Sequence, residues 1–285
     1  MARILSAEEM APQTIRMRIE APRIAARRKA GQFVIVRASE HSERVPLTIV
    51  DSDAAEGSVT IIFQMVGHST MELGEMKPGQ EVADIVGPLG RPTEVERYGT
   101  VVSIGGGIGA AVALPIAVAM RQAGNRVVGI VGARTKSLLI LEDEMRRTSD
   151  ELLVSTDDGS YARKGFVTDV LKEVIAREKV DLVLAVGPVP MMKAVAAVTK
   201  EKGIRTVVSL NPIMVDGTGM CGGCRVTVGG KTRFVCVDGP EFDAHGVDFD
   251  ELVKRQRTYK GVEGAALERY HREKACRLGN IGGKA

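Results

Sequence analysis

Between residues 14 and 20 apolar and polar positions alternate without a break: Ile15, Met17 and Ile19 fall on one face, Arg16, Arg18 and Glu20 on the other. That two-residue period is the mark of a strand with one face in a core. Residues 32–37, 46–50, 59–66 and 81–86 read the same way and are separated by turn sequences such as Lys77-Pro78-Gly79. Five or six short strands with polar connections predict a small antiparallel β-barrel over residues 1–95.

From Gly99 onward the period changes. A short apolar strand at 101–104 leads into Gly105-Gly106-Gly107-Ile108-Gly109 and an alanine-rich helix to Ala123, with Pro115 deep inside it as an expected kink. Strands at 126–131, 152–155, 182–186 and 205–209 then alternate with helices at 138–147, 165–178 and 191–202. Repeated βα units predict a parallel, doubly wound α/β domain over residues 96–212. A short segment at 213–242 follows. The tail, 243–285, is charged, with Phe249, Leu252 and Val253 as its apolar exceptions, and reads as a partner-docking extension.

Composition removes several possibilities. Among 285 residues, 39 basic side chains nearly balance 36 acidic ones, so no nucleic-acid footprint is expected. The longest apolar run, 109–120, is too short to span a bilayer, and the N-terminus lacks an apolar signal core. Four cysteines, three of them in one motif, do not make a disulfide framework. A soluble cytoplasmic protein without membrane contact is the expectation.

The cysteines carry the sharpest chemistry. Asp216-x4-Cys221-x2-Cys224-x11-Cys236 is the plant-type [2Fe–2S] spacing with a carboxylate in the first slot, and glycines 217, 219, 222 and 223 free its backbone. Structural zinc or a redox disulfide remain alternatives for the C-x2-C pair. Cys276 reads as a free thiol rather than a substitute fourth ligand. Elsewhere the signals are anion seats. Gly105, Gly107 and Ala110 fit the G-x-G-x-x-G/A turn that lets a pyrophosphate reach a helix N-terminus. Arg134 stands where an acid would hold the ribose of NAD, and Gly187-Pro188 closes a strand at its ligand-binding end. In the barrel, Arg44 and Thr48 share a strand face, while Gly67, Ser69 and Thr70 stand at a helix start. The four histidines show no metal spacing.

In order, these motifs are R-x-P-L-T at 44–48, V-G-x-S-T at 66–70, G-P-L-G at 87–90, the glycine loop, G-P-x-x-M-M at 187–192, and the aspartate–cysteine frame. The chain resembles ferredoxin reductase-like flavoproteins that carry a C-terminal [2Fe–2S] cluster. That family includes the electron-transfer subunit of dihydroorotate dehydrogenase and the small subunits of sulfide dehydrogenase and NADH-dependent ferredoxin–NADP oxidoreductase. Asp216 and the tail from Gly239 to Leu252 are most similar to the last of these. The resemblance implies FAD held by Arg44, Pro46, Leu47, Thr48, Gly67, Ser69 and Thr70. It implies NAD(H), not NADP(H), at Gly105, Gly106, Gly107, Ile108, Gly109, Arg134, Gly187 and Pro188. The cluster ligands would be Asp216, Cys221, Cys224 and Cys236. A larger flavin- and [4Fe–4S]-containing subunit would complete a heterodimer and reach ferredoxin and NADP(H). Two departures stand out: Val186 where many relatives have cysteine, and Pro46 where many stack an aromatic on the flavin. Dihydroorotate dehydrogenase or sulfide dehydrogenase is the alternative complex. A non-catalytic NAD-sensing module with structural zinc is the alternative of another class.

Overall fold

Backbone pairing follows the alternating face of residues 14–20 directly. In the computed structural model, which describes residues 2–281 and side chains to Lys274, Ile15, Met17 and Ile19 stand opposite Phe63, Ile61 and Val59. Stacked this way they fill the centre of an antiparallel barrel. Its elements are β1 (Ala2–Ala11), β2 (Thr14–Glu20), α1 (Pro22–Ala25), β3 (Phe33–Arg37), β4 (Val45–Asp53), β5 (Ser58–Gln64), α2 (His68–Glu75), β6 (Glu81–Val82) and β7 (Asp84–Leu89). The strand order is β6-β1-β2-β5-β4-β3-β7, and α2 caps the core with fully buried Leu73. The sequence reading missed β1. Register shifts between Ile4 and Ser6 and between Glu9 and Ala11 break its two-residue period, so its hydrophobic pattern does not alternate.

The second sheet is built from β8 (Thr100–Gly106), α3 (Gly109–Gln122), β9 (Arg126–Ala133), α4 (Glu142–Thr148), β10 (Glu151–Thr156), β11 (Arg163–Lys164), α5 (Val167–Arg177), β12 (Leu182–Val186), α6 (Val189–Glu201) and β13 (Thr206–Ser209). Helix α3 continues through Pro115 rather than ending there. Helix α4 begins later than its periodicity suggests, because Leu141 takes a left-handed conformation (φ 60°) just before it. Past β13 the chain makes a hairpin, β14 (Arg225–Val228) and β15 (Lys231–Phe234), then α7 (Val235–Asp238). It returns as β16 (Glu241–Asp243), an antiparallel edge strand on β13. The full order is β11-β10-β9-β8-β12-β13-β16, so the order reverses beside β8 and opens a crevice at the carboxyl ends of β8 and β12.

Two helices finish the chain, α8 (Phe249–Gln256) and α9 (Lys260–Ile281). Phe249 and Leu252 of α8 are buried in the core that also holds Cys224 and Cys236. Helix α9 lies on α2: His68 and Tyr270 meet edge to face at 5.1 Å, and Lys274 pairs with Glu75. Cys276, one of the residues weighed from sequence, lies outside the described side chains. Barrel and second sheet are joined by Arg16 and Glu144 at 2.8 Å and by Ala11, Val50 and Ile62 packed with Ile116 of α3. Among the described residues no helix is long and apolar enough to cross a membrane.

Candidate functional site

The barrel residues read from sequence as anion seats gather at one end. Arg44 is exposed just ahead of β4, with its guanidinium 3.9 Å from Asp84 of β7. Along β4, Pro46, Leu47 and Thr48 stand opposite Ile35, Val34 and Phe33 of β3. Gly67 caps α2, and the Thr70 hydroxyl accepts the N–H groups of Gly67 and Val66 at 3.0 and 3.1 Å. Ser69 lies in the same first turn. A hydrogen bond from Ser42 Oγ to Glu72 Oε2 (2.6 Å) ties the turn before Arg44 to this helix. Arg37 stands opposite Asp84 across the ladder, and its Nε is buried with no acceptor among the described residues. Two arginines at this end of the barrel, one closing β3 and the other just ahead of β4, suit a phosphate group.

The glycine loop sits in the crevice of the second sheet. A Cβ at Gly109 would stand 2.2 Å from the Val186 carbonyl oxygen, so only glycine lets α3 start this close to β12. Gly105 pairs with Val186 across the sheet, which brings Gly105, Gly106, Gly107, Ile108 and Gly109 beside Gly187-Pro188 at the start of α6. Met191 packs against both Gly106 and Gly187 and holds the two loops together. Nothing in its spacing signals this. Arg134 follows β9 directly; it is exposed, and its side chain has no hydrogen-bond or ion-pair partner among the described residues.

In the cysteine segment, Cys224 and Cys236 are buried with their sulfurs 3.2 Å apart, while Cys221 is exposed. Backbone N–H groups already point at sulfur: Gly223 donates to Cys221 Sγ and Cys236 to Cys224 Sγ, each at 3.4 Å. Burial, then the neighbouring Cys224 thiol, pushes Cys236 up to about 12, so a metal taking it as thiolate must displace its proton. Asp216 accepts the N–H groups of Thr218 (2.9 Å) and Cys221 (2.8 Å), bonds that hold its carboxyl below the usual range. The Cys221 thiol and the Gly219 backbone also bond this carboxylate, so the loop gathers its donors around Asp216. Among the described residues no three such side chains meet around a single ion. A sulfide-bridged two-iron cluster spans a wider cage, and the donor set of thiolates, one carboxylate and loop amides suits it.

This loop rests on the barrel. Gly217, at φ 75°, approaches so closely that a Cβ there would stand 2.8 Å from Leu89 and 2.9 Å from Ile35. Ile35 is the β3 partner of Pro46, so one strand separates the cysteine loop from the R-x-P-L-T strand. Two contacts went unseen in the sequence. Arg255 of α8 donates to the Gly223 carbonyl at 3.0 Å, and Thr93 of the linker donates to Glu241 at 2.6 Å. Both join residues far apart in the chain, and local pattern carries no trace of such pairs.

Comparison with known proteins now bears on these features. The iron–sulfur cluster binding domain of dihydroorotate dehydrogenase B matches residues 211–248. A dihydroorotate dehydrogenase B (NAD(+)) electron transfer subunit homolog of Thermotoga maritima is 48% identical over 88% of this chain and 89% of its own. The electron transfer subunit of Fusobacterium nucleatum is 35% identical over 85% and 95%. A chain in the structure of the NADH-dependent reduced ferredoxin–NADP oxidoreductase superposes with TM-score 0.91 at 43% identity, covering 95% of this chain and 98% of that one. The ferredoxin reductase of carbazole 1,9a-dioxygenase shares the fold at TM-score 0.60 and 18% identity, over 71% and 65%. The chain therefore belongs to the family of dihydroorotate dehydrogenase B electron-transfer subunits and their homologues, oxidoreductase subunits of ferredoxin reductase-like fold with FAD, NAD(H) and an iron–sulfur cluster as cofactors.

Proposed function

We propose that this chain is the NAD(H)-dependent electron-transfer subunit of an NADH-dependent ferredoxin–NADP oxidoreductase, working in the cytoplasm beside a larger flavin- and [4Fe–4S]-containing subunit. Residues 1–95 would bind FAD, 96–212 NAD(H) and 213–242 a [2Fe–2S] cluster, leaving 243–285 as the tail. Arg44 and Arg37 would clamp the flavin's phosphates at the start of α2, beside Gly67 and with the amides of Ser69 and Thr70. Thr48 and Leu47 would flank the ring, and the loops at 105–109 and 187–188 would receive the nicotinamide nucleotide, with Arg134 at its ribose. Asp216, Cys221, Cys224 and Cys236 would ligate the cluster. Once bound, flavin and nicotinamide supply hydride exchange and the cluster supplies one-electron transfer; the chain's residues bind and orient them.

The observation that carries this reading is the close approach of Gly217 to Ile35 and Leu89, one strand from Pro46. It supports a short path between the flavin strand and the cysteine loop. Val215, Met220 and Val237 expose apolar surface around Cys221, with Met220 88% exposed, which supports docking of the larger subunit at the cluster. The names of several relatives favour dihydroorotate dehydrogenase as a second reading of that partner. Anaerobic purification from its host tests both. We expect roughly one flavin and one [2Fe–2S] per chain and a glutamate synthase-like flavoprotein in the complex. A co-purified dihydroorotate dehydrogenase selects the second reading, and stoichiometric zinc without acid-labile sulfide overturns both. Rapid-mixing reduction of the flavin should be faster with NADH than with NADPH; the reverse would assign Arg134 to a 2′-phosphate.

A further inference from the structure

The loop between Cys221 and Cys224 is held from outside by two arginines. Arg225 reaches the Gly222 carbonyl with both its backbone N–H (3.4 Å) and Nη1 (3.1 Å). The same peptide unit carries the Gly223 N–H, which donates to Cys221 Sγ at 3.4 Å. In a trans peptide the C=O and N–H point opposite ways, so fixing the oxygen outward aims the hydrogen at the sulfur. Arg255 takes the next carbonyl, that of Gly223, at 3.0 Å. Charged donors on consecutive carbonyls polarise both peptides, and on the first this strengthens what the Gly223 N–H donates to Cys221 Sγ.

Arg255 is aimed by a well-anchored helix. Phe249 and Leu252 bury α8 in the core around Cys224 and Cys236. Glu251 accepts the Thr227 N–H at 3.0 Å, Gln256 donates to the Asn211 carbonyl at 2.8 Å, and Asp250 pairs with Lys193 of α6 at 2.6 Å. The helix therefore grips the chain on both sides of the cysteine loop, and the guanidinium arrives half-buried with little freedom left to lose.

We infer that Arg255, seconded by Arg225, is a positioning residue for the cluster: the two hold consecutive C-x2-C carbonyls outward, Arg225 on the peptide whose Gly223 N–H faces Cys221 Sγ, and their positive charge raises the cluster's reduction potential. The inference rests on the cluster reading proposed above. Its sign follows from charge: reduction adds an electron to the cluster, and nearby cations and N–H donors to sulfur favour the reduced form.

The test is redox titration of the anaerobically purified complex, followed by electron paramagnetic resonance, with iron and sulfide measured on the same samples. Arg255→Gln should move the cluster potential to more negative values while flavin content stays at the parent level. Arg255→Lys keeps the charge and should remain nearer the parent. Arg225→Gln, at an exposed site that leaves the core intact, should shift the potential in the same direction by less. A parent-like potential in Arg255→Gln overturns the inference, as does equal iron loss in both Arg255 variants with no potential shift in the clusters that remain. Parent complex lacking acid-labile sulfide would instead overturn the cluster reading itself.

Discussion

At the scale of single residues, Arg44 and Asp216 separate binding from folding. Arg44 is exposed, and its one described ion pair, to Asp84 at 3.9 Å, is worth about 0–1 kcal/mol to the fold. As a phosphate clamp it would contribute about 1.5–3 kcal/mol, so Arg44→Ala should weaken FAD binding about tenfold to hundredfold. The melting temperature of the flavin-free chain should hardly move. Full flavin retention through gel filtration would show that Arg44 does not touch the phosphates. Asp216 has two tasks to tell apart, accepting the amides of Thr218 and Cys221 and ligating iron. Asp216→Cys should keep a [2Fe–2S] cluster with altered absorption, resonance spectrum and potential, because a soft thiolate replaces a hard oxygen. Asp216→Ala should lose most of its iron and keep its flavin. Parent-like spectra in both variants would confine Asp216 to the turn and move attention to Cys276. The iron–sulfur segment was legible because its cysteines stand close together at a recognisable spacing within residues 211–248. Met191 was not, because its role depends on two glycine loops that the sheet, and not the sequence, brings together.

At the scale of elements, legibility followed regularity. Strand β2 alternates cleanly and was read to its ends, whereas β1 carries two register shifts that scramble the same signal. Helix α8 did announce itself weakly. Asp248 accepts the Glu251 N–H at 2.9 Å, the D-x-x-E start that precedes Phe249, Leu252 and Val253. Helix α9 has no such apolar stripe, and its described contacts are polar and aromatic ones to α2, the helix whose start would seat the flavin pyrophosphate. Truncation after Arg257 should therefore leave iron and sulfide unchanged, since α8 and its grip on the cysteine loop remain. It should speed FAD release, because His68 and Glu75 lose Tyr270 and Lys274. Flavin release measured by fluorescence recovery on dilution reports this. An unchanged release rate would mean that α9 contributes nothing to the flavin end of the barrel.

At the scale of the whole molecule, the order of βα units predicts the doubly wound sheet, but not the strand β16 that returns to its edge. That return places Glu241 where barrel, linker and cysteine segment converge. A Cβ on Gly31 of the barrel would stand 2.8 Å from its carboxylate, Thr93 of the linker donates to it at 2.6 Å, and Arg91 donates to the Gly239 carbonyl at 2.7 Å. Glu241 is half-buried as a residue, with its carboxyl turned into this junction. Burial pushes it up from an ordinary 4.5 to about 7, an effect the Thr93 hydrogen bond only partly offsets. The fold thus binds this proton more tightly than the unfolded chain does. Stability from the protonated carboxyl is fully present below pH 4.5, falls as pH rises toward 7, and levels off above. Glu241→Gln keeps an acceptor for Thr93 and cannot ionise. It should match the parent near pH 4 and exceed it at pH 8 by up to about 3 kcal/mol. Denaturation of both proteins across this range measures the difference directly. Parallel pH profiles for parent and variant would show that Glu241 carries no proton into the fold and that the three-way junction is indifferent to its charge.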